Sequence, residues 1–143
     1  MTMYITGTDE GIEYGTSYLH TAADLWSLVE PRRGEAIRRW IRERFAAHSD
    51  SPDVKVYDVA SLRDLLDLLD GLDDALRAEI TDDVWRLDEE TARRLQAKDE
   101  TLVDSWQGAQ GPVYTLENRV SEVHQVEALA RQAIEMNRNL EVY

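Results

Sequence analysis

One twenty-residue stretch, Ser61 to Ile80, restricts the fold more than any other part of the chain. It interleaves leucine with aspartate. Leu62, Leu65, Leu66, Leu69, Leu76 and Ile80 recur at spacings of three and four, a pattern that only a helix buries on one side. Asp64, Asp67, Asp70 and Asp74 fall on the other side or along its edge. Ser61 offers an N-cap oxygen, with Asp64 three positions on. Gly71 follows Asp70 and is expected to divide the helix, since glycine inside a helix costs about 1 kcal/mol against alanine. The run before it, Val54 to Val59, has the richest β-branched content for a strand. A strand followed by an amphipathic helix is therefore the frame for the rest.

Upstream, Tyr4-Ile5-Thr6 reads as a short strand and residues 7–11 as a turn. Ile12, Tyr14, Thr16 and Tyr18 alternate with smaller or polar residues, which predicts the second strand of a hairpin, weakened at Gly15. Thr21 is then expected to cap a short helix carrying Leu25, Trp26, Leu28 and Val29, stopped by Pro31. From Pro31 to His48, Ile37, Trp40, Ile41 and Phe45 define the buried face of a second helix.

Downstream, Thr81 is a further capping candidate, with Asp82 and Asp83 in a first turn where the helix dipole favours them. Val84 to Leu87 fits a helical turn or a strand equally. Asp88 to Trp106 reads as helix, with Ala92, Leu95, Leu102, Val103 and Trp106 on one face. Gly108 to Pro112 breaks the chain, and Val113 to Thr115 reads as a strand. The last helix, Leu116 to Asn137, carries two adjacent apolar stripes. So wide a face suits a central position or a dimer contact through residues 116–137. Leu140 to Tyr143 is expected as an edge strand. The fold class is α+β: a single domain over residues 1–143, four to five helices packed on a small, mostly antiparallel sheet.

Charge narrows the function classes. The chain carries a net charge of −13, which repels nucleic acid and anionic membranes and attracts basic proteins. A salt-adapted or GC-rich proteome produces the same acidity, and only Lys55 and Lys98 are lysine among sixteen basic residues. The charge is unevenly spread, however. Residues 32–44 hold six arginines against Glu35 and Glu43, a balance of +4; residues 62–83 hold eight acids against Arg63 and Arg77, a balance of −6. With no cysteine, disulfides, thiolate metal sites and a cysteine nucleophile are excluded. No basic leader and no run of 18 apolar residues is present, so a cytoplasmic, non-membrane protein is expected.

No phosphate loop, nucleophile elbow or zinc-protease helix motif occurs, and no cofactor is expected. The adjacent acids Asp73-Asp74, Asp82-Asp83 and Glu89-Glu90 read as surface, because a catalytic carboxylate pair needs an apolar pocket. The alternative is a small enzyme or metal-binding protein using His20, Asp24, His124 and Glu127, if those two distant pieces of the chain meet in space. The leading expectation is a non-catalytic acidic protein that masks a basic surface of a protein partner, in the manner of an immunity protein, antitoxin or anti-defence inhibitor. Its contact residues would be Asp64, Asp67, Asp70, Asp74, Asp82 and Asp83, with Tyr14 and Tyr18 as aromatic anchors. A third class is a homo-oligomeric structural protein.

Overall fold

The computed structural model describes residues 2–47, 55–80 and 84–143, with residues 45–47 described by their backbone alone. Expectations for Phe45, His48, Val54, Thr81, Asp82 and Asp83 lie outside the described residues. The chain is α+β, with helices and two small antiparallel sheets. The helical segments are α1 (Gly15–Val29), α2 (Pro31–Ala47), α3 (Val59–Leu69), α4 (Leu72–Arg77), α5 (Glu89–Lys98) and α6 (Glu117–Glu135).

Periodicity accounts for the buried faces. Leu62, Leu65, Leu69, Leu72, Leu76 and Ile80 are buried together, while Asp64, Asp67, Asp70 and Asp74 stay exposed. Gly71 adopts a left-handed backbone (φ +84°), which ends α3 and starts α4, as the Asp-Gly step predicts. The cap of α3 is Asp58 rather than Ser61: its carboxylate accepts the Ser61 amide at 2.8 Å. Pro31 starts α2 immediately after Glu30, so α1 and α2 form a tight helical pair. They approach closely at Gly34, whose missing side chain leaves room for Ser27 and the Ala23 carbonyl. At the far end α6 stops in a paired turn: Asn137 is left-handed (φ +52°), its amide bonds the Ile134 carbonyl and the Arg138 amide bonds that of Ala133.

Four of these helices pack around one core. Helix α1 lies against α2 and α6, and α3 also lies against α2 and α6. This explains the two stripes of α6. Val120, Val123, Val126, Leu129, Ala130 and Ala133 are all buried within the chain, so most of the wide apolar face packs on the core, while Met136 at its end is exposed. Trp40 ties α2 to the strand–helix unit, its indole N–H donating to the Ser61 carbonyl at 3.1 Å and its ring lying 5.0 Å from that of Tyr57.

The sheets depart from the sequence reading in four ways. The first sheet has the order β2-β1-β7-β3, from β1 (Met3–Ile5), β2 (Gly11–Ile12), β3 (Lys55–Tyr57) and β7 (Leu140–Val142). Residues 140–142 are central, not an edge: Leu140 pairs with both Ile5 and Tyr57, and Val142 with both Met3 and Lys55. The expected strand from Ile12 to Tyr18 ends at Ile12, and α1 begins at Gly15. Leu19, Ala22 and Ala23 continue the helical burial of Leu25 and Trp26, and Gly15 sits where a side chain would strike Met3. Thr21 is consequently no cap. It lies buried inside α1, its hydroxyl placed 3.1 Å from both the Ser17 carbonyl and Glu122 Oε2.

The fourth departure is α5, which stops at Lys98 rather than at Trp106. Asp99 turns the chain through a 3-10 turn at Glu100–Leu102 into a second sheet. That sheet has the order β4-β6-β5, from β4 (Arg86–Leu87), β5 (Asp104–Gly108) and β6 (Gly111–Thr115). Strands β5 and β6 form a hairpin over the two-residue loop Ala109-Gln110, with Gly111 at φ +117°. Trp106 is therefore a strand residue, half exposed rather than in the core.

Candidate functional site

The exposed side of α3 and α4 follows from the leucine face: burying positions 62, 65, 69, 72 and 76 turns Asp64, Asp67, Asp70 and Asp74 to solvent. What decides their availability is the basic helix α2. Arg33 donates to the Asp67, Leu68 and Asp70 carbonyls at 3.4, 3.0 and 3.3 Å, satisfying the C-terminal end of α3, and stacks over Trp26 at 4.5 Å. Arg44 reaches Asp64 Oδ2 at 3.5 Å. Arg38 pairs with Asp24 at 2.9 Å and Arg42 with Glu35 at 2.9 Å, and the arginine beside Glu35 holds its carboxyl below the usual carboxylate range. Arg33, Arg38, Arg42 and Arg44 of the basic island thus meet the chain's own acids and carbonyls, while Arg32 and Arg39 are exposed. Asp64 is partly answered. The carboxylates of Asp67, Asp70 and Asp74 have no ion-pair partner among the described residues.

Around Gly71 a depression of about 320 Å³ is lined by Asp70, Asp73, Asp74, His124, Glu127 and Arg131, among others. His124 Nε2 lies 2.8 and 3.0 Å from the two Asp73 oxygens, joining α6 to the first turn of α4. Glu127, on the same side of α6, pairs with Arg131 at 3.2 Å, and burial pushes its carboxyl above the usual range. By sequence Asp73 is one of a surface acid pair. Its partnership with His124 crosses 51 positions and has no local signal.

Of the four residues nominated for a metal, His124 is held by Asp73, Glu127 by Arg131 and Asp24 by Arg38, while His20 is exposed on α1. Among the described residues no three His, Asp or Glu side chains are grouped to hold a metal ion. Tyr14 is exposed and Tyr18 is packed partly against the core. Both sit toward the start of α1. Arg33 brings the other end of α1, at Trp26, to the end of α3, so Tyr14 lies about 18 Å along the helix from that junction. No hydrogen bond or ring contact among the described residues joins these tyrosines to Asp67, Asp70 or Asp74.

No helix among the described residues is long and apolar enough to cross a membrane. No family model matches the chain, and comparison with curated proteins and with solved structures yields no significant match.

Proposed function

We propose that this chain is a non-catalytic cytoplasmic binding protein whose α3–α4 face covers a basic surface on a protein partner, as an immunity protein, antitoxin or anti-defence inhibitor does. One observation carries the reading: Asp67, Asp70 and Asp74 stay exposed and without an ion pair among the described residues, although six arginines lie on the neighbouring helix α2. Uncompensated acids on a rigid helix steer a cationic partner and speed encounter in a salt-dependent way. Asp82 and Asp83 follow α4 in sequence and extend the same acidic run.

The test is capture of a basic partner from the native host by tagged chain, compared with the variant Asp67→Asn/Asp70→Asn/Asp74→Asn. The expected result is retention by the parent chain, release as salt rises toward 1 M, and loss in the variant at unchanged thermal stability. Retention by the variant, or a complex indifferent to salt, overturns the proposal.

A further inference from the structure

Among the described residues there are four edge strands, and three of them are guarded in the usual ways. Strands β2 and β4 are two residues long, and β3 is three residues long and carries Lys55. Strand β5 is different. It runs for five residues, Asp104-Ser-Trp-Gln-Gly, with no lysine or proline, and among the described residues pairs only with β6. Its one charged side chain is turned inward: Asp104 accepts from Asn118 at 2.9 Å and meets Arg119 at 3.5 Å. Arg119 in turn holds Glu122 at 2.6 Å, which locks the base of the hairpin to α6. Ser105, Trp106 and Gln107 are all exposed, and Trp106 keeps 50 % of its surface in solvent. No hydrogen bond among the described residues reaches the outer backbone of β5.

The charge pattern singles out the same element. Residues 105–116 contain no Asp, Glu, Lys or Arg, the longest such run in a chain that is 31% charged with a balance of −13. A partner chosen for positive charge gains nothing here. A second copy, which repels this one through its net charge, meets an uncharged edge here.

We propose that β5 is a self-association edge, pairing antiparallel with β5 of a second copy about a two-fold axis at Trp106 and joining two three-stranded sheets into one of six strands. Full overlap of the five residues sets the register. Trp106 faces the partner's Trp106, Ser105 faces the partner's Gln107, and Asp104 faces the partner's Gly108, so no like charges meet. Trp106 already lies opposite Val113 within the hairpin. The pairing extends this into one apolar strip of Val113, Trp106 and their two counterparts, on a single face. The contact is isologous and closed, so it stops at the dimer. Because each copy carries −13, the association strengthens as salt screens the repulsion, the opposite of the behaviour proposed for the α3–α4 face.

The test is the sedimentation mass of the full chain across protein concentration in low and 0.5 M salt, with two charge variants on exposed positions. The parent is expected to move from 16.4 kDa toward twice that mass as concentration and salt rise. Ser105→Glu/Gln107→Glu puts two acid pairs across the axis and is expected to weaken the dimer roughly tenfold. Ser105→Lys/Gln107→Glu puts a lysine against an acid at both pairs and is expected to restore or strengthen it. A parent that stays at 16.4 kDa throughout, or two charge variants that associate alike, overturns the proposal, as does capture of a foreign extended segment on β5 in place of a second copy.

Discussion

Replacing Gly34 by alanine sets two effects of opposite sign against each other. Helix propensity alone makes Gly34→Ala stabilising by up to about 1 kcal/mol. The packing of α1 on α2 says otherwise. A Cβ at position 34 would lie 2.7 Å from the Ala23 carbonyl oxygen and 2.9 Å from the Ser27 amide nitrogen, and would overlap Ser27 Oγ. The hydroxyl could turn away only by leaving its 2.8 Å hydrogen bond to the Ala23 carbonyl. The other two atoms are backbone and move only with α1 itself, which is also held by α6. Overpacking of this kind costs typically about 1–3 kcal/mol. With three contacts violated the upper part of that range applies, and subtracting the propensity gain leaves a net loss of about 2 kcal/mol. Urea unfolding followed by tryptophan fluorescence is expected to show a midpoint lowered by about 1 M at an unchanged slope. Adding Ser27→Ala removes the hydroxyl overlap but not the two backbone contacts, so the double variant stays below the parent. A Gly34→Ala midpoint equal to or above the parent's would refute the close approach of these two helices.

Substitutions at three further positions probe other parts of the fold. The Tyr57 hydroxyl is buried with no hydrogen-bond partner among the described residues, and burial pushes its pKa up to about 12; Tyr57→Phe is therefore expected to stabilise by about 1 kcal/mol in urea unfolding. A phenol whose folded pKa is raised loses its contribution as pH climbs from 10 to about 12, so the parent should weaken over that window relative to Tyr57→Phe, and parallel curves would refute the burial. Glu127 is raised by desolvation ahead of the opposing pull of Arg131, so its contribution is present below pH 4.5 and lost as pH rises through the folded value. Glu127→Gln should then gain on the parent at pH 7 relative to pH 4 in thermal melts, and a gap that closes toward neutral pH contradicts the assignment. At the left-handed end of α6, Asn137→Gly should be neutral or stabilising and Asn137→Val should cost about 1–2 kcal/mol, because a β-branched side chain is strained there. Equal melting temperatures for the two variants would place the helix end elsewhere.

Signals confined to a few neighbouring residues are legible in the amino-acid sequence. The Leu62–Ile80 spacing, the break at Gly71, the stop at Pro31 and the end of α6 at Asn137 each depend on backbone geometry within one or two helical turns. The exposed aspartates of the candidate site follow from the same leucine spacing, because burying one face of a helix exposes the other. The start of α1 is not legible in this way. Alternation at Tyr14, Thr16 and Tyr18 suits a strand, but it is also compatible with a helix once Leu19 and Ala22 are buried. The β5–β6 hairpin has a local sign in its Gly-Ala-Gln-Gly turn and its charge-free run, yet the helical propensity ahead of it extends the expected helix past Lys98.

The sequence by itself determined the buried leucine face of residues 62–80, the break at Gly71 and the stop at Pro31, and that the chain is acidic with six of its sixteen basic residues clustered in residues 32–44. Tertiary structure alone decided that Leu140–Val142 is the middle of a sheet, that Arg33 and Arg44 of α2 serve the acidic helix α3, and that His124 meets Asp73. The physical reason is separation along the chain. Helical burial is set by neighbours three and four positions away, whereas strand order and cross-helix ion pairs are set by how whole elements stack, between residues such as Ile5 and Leu140 that share no local pattern.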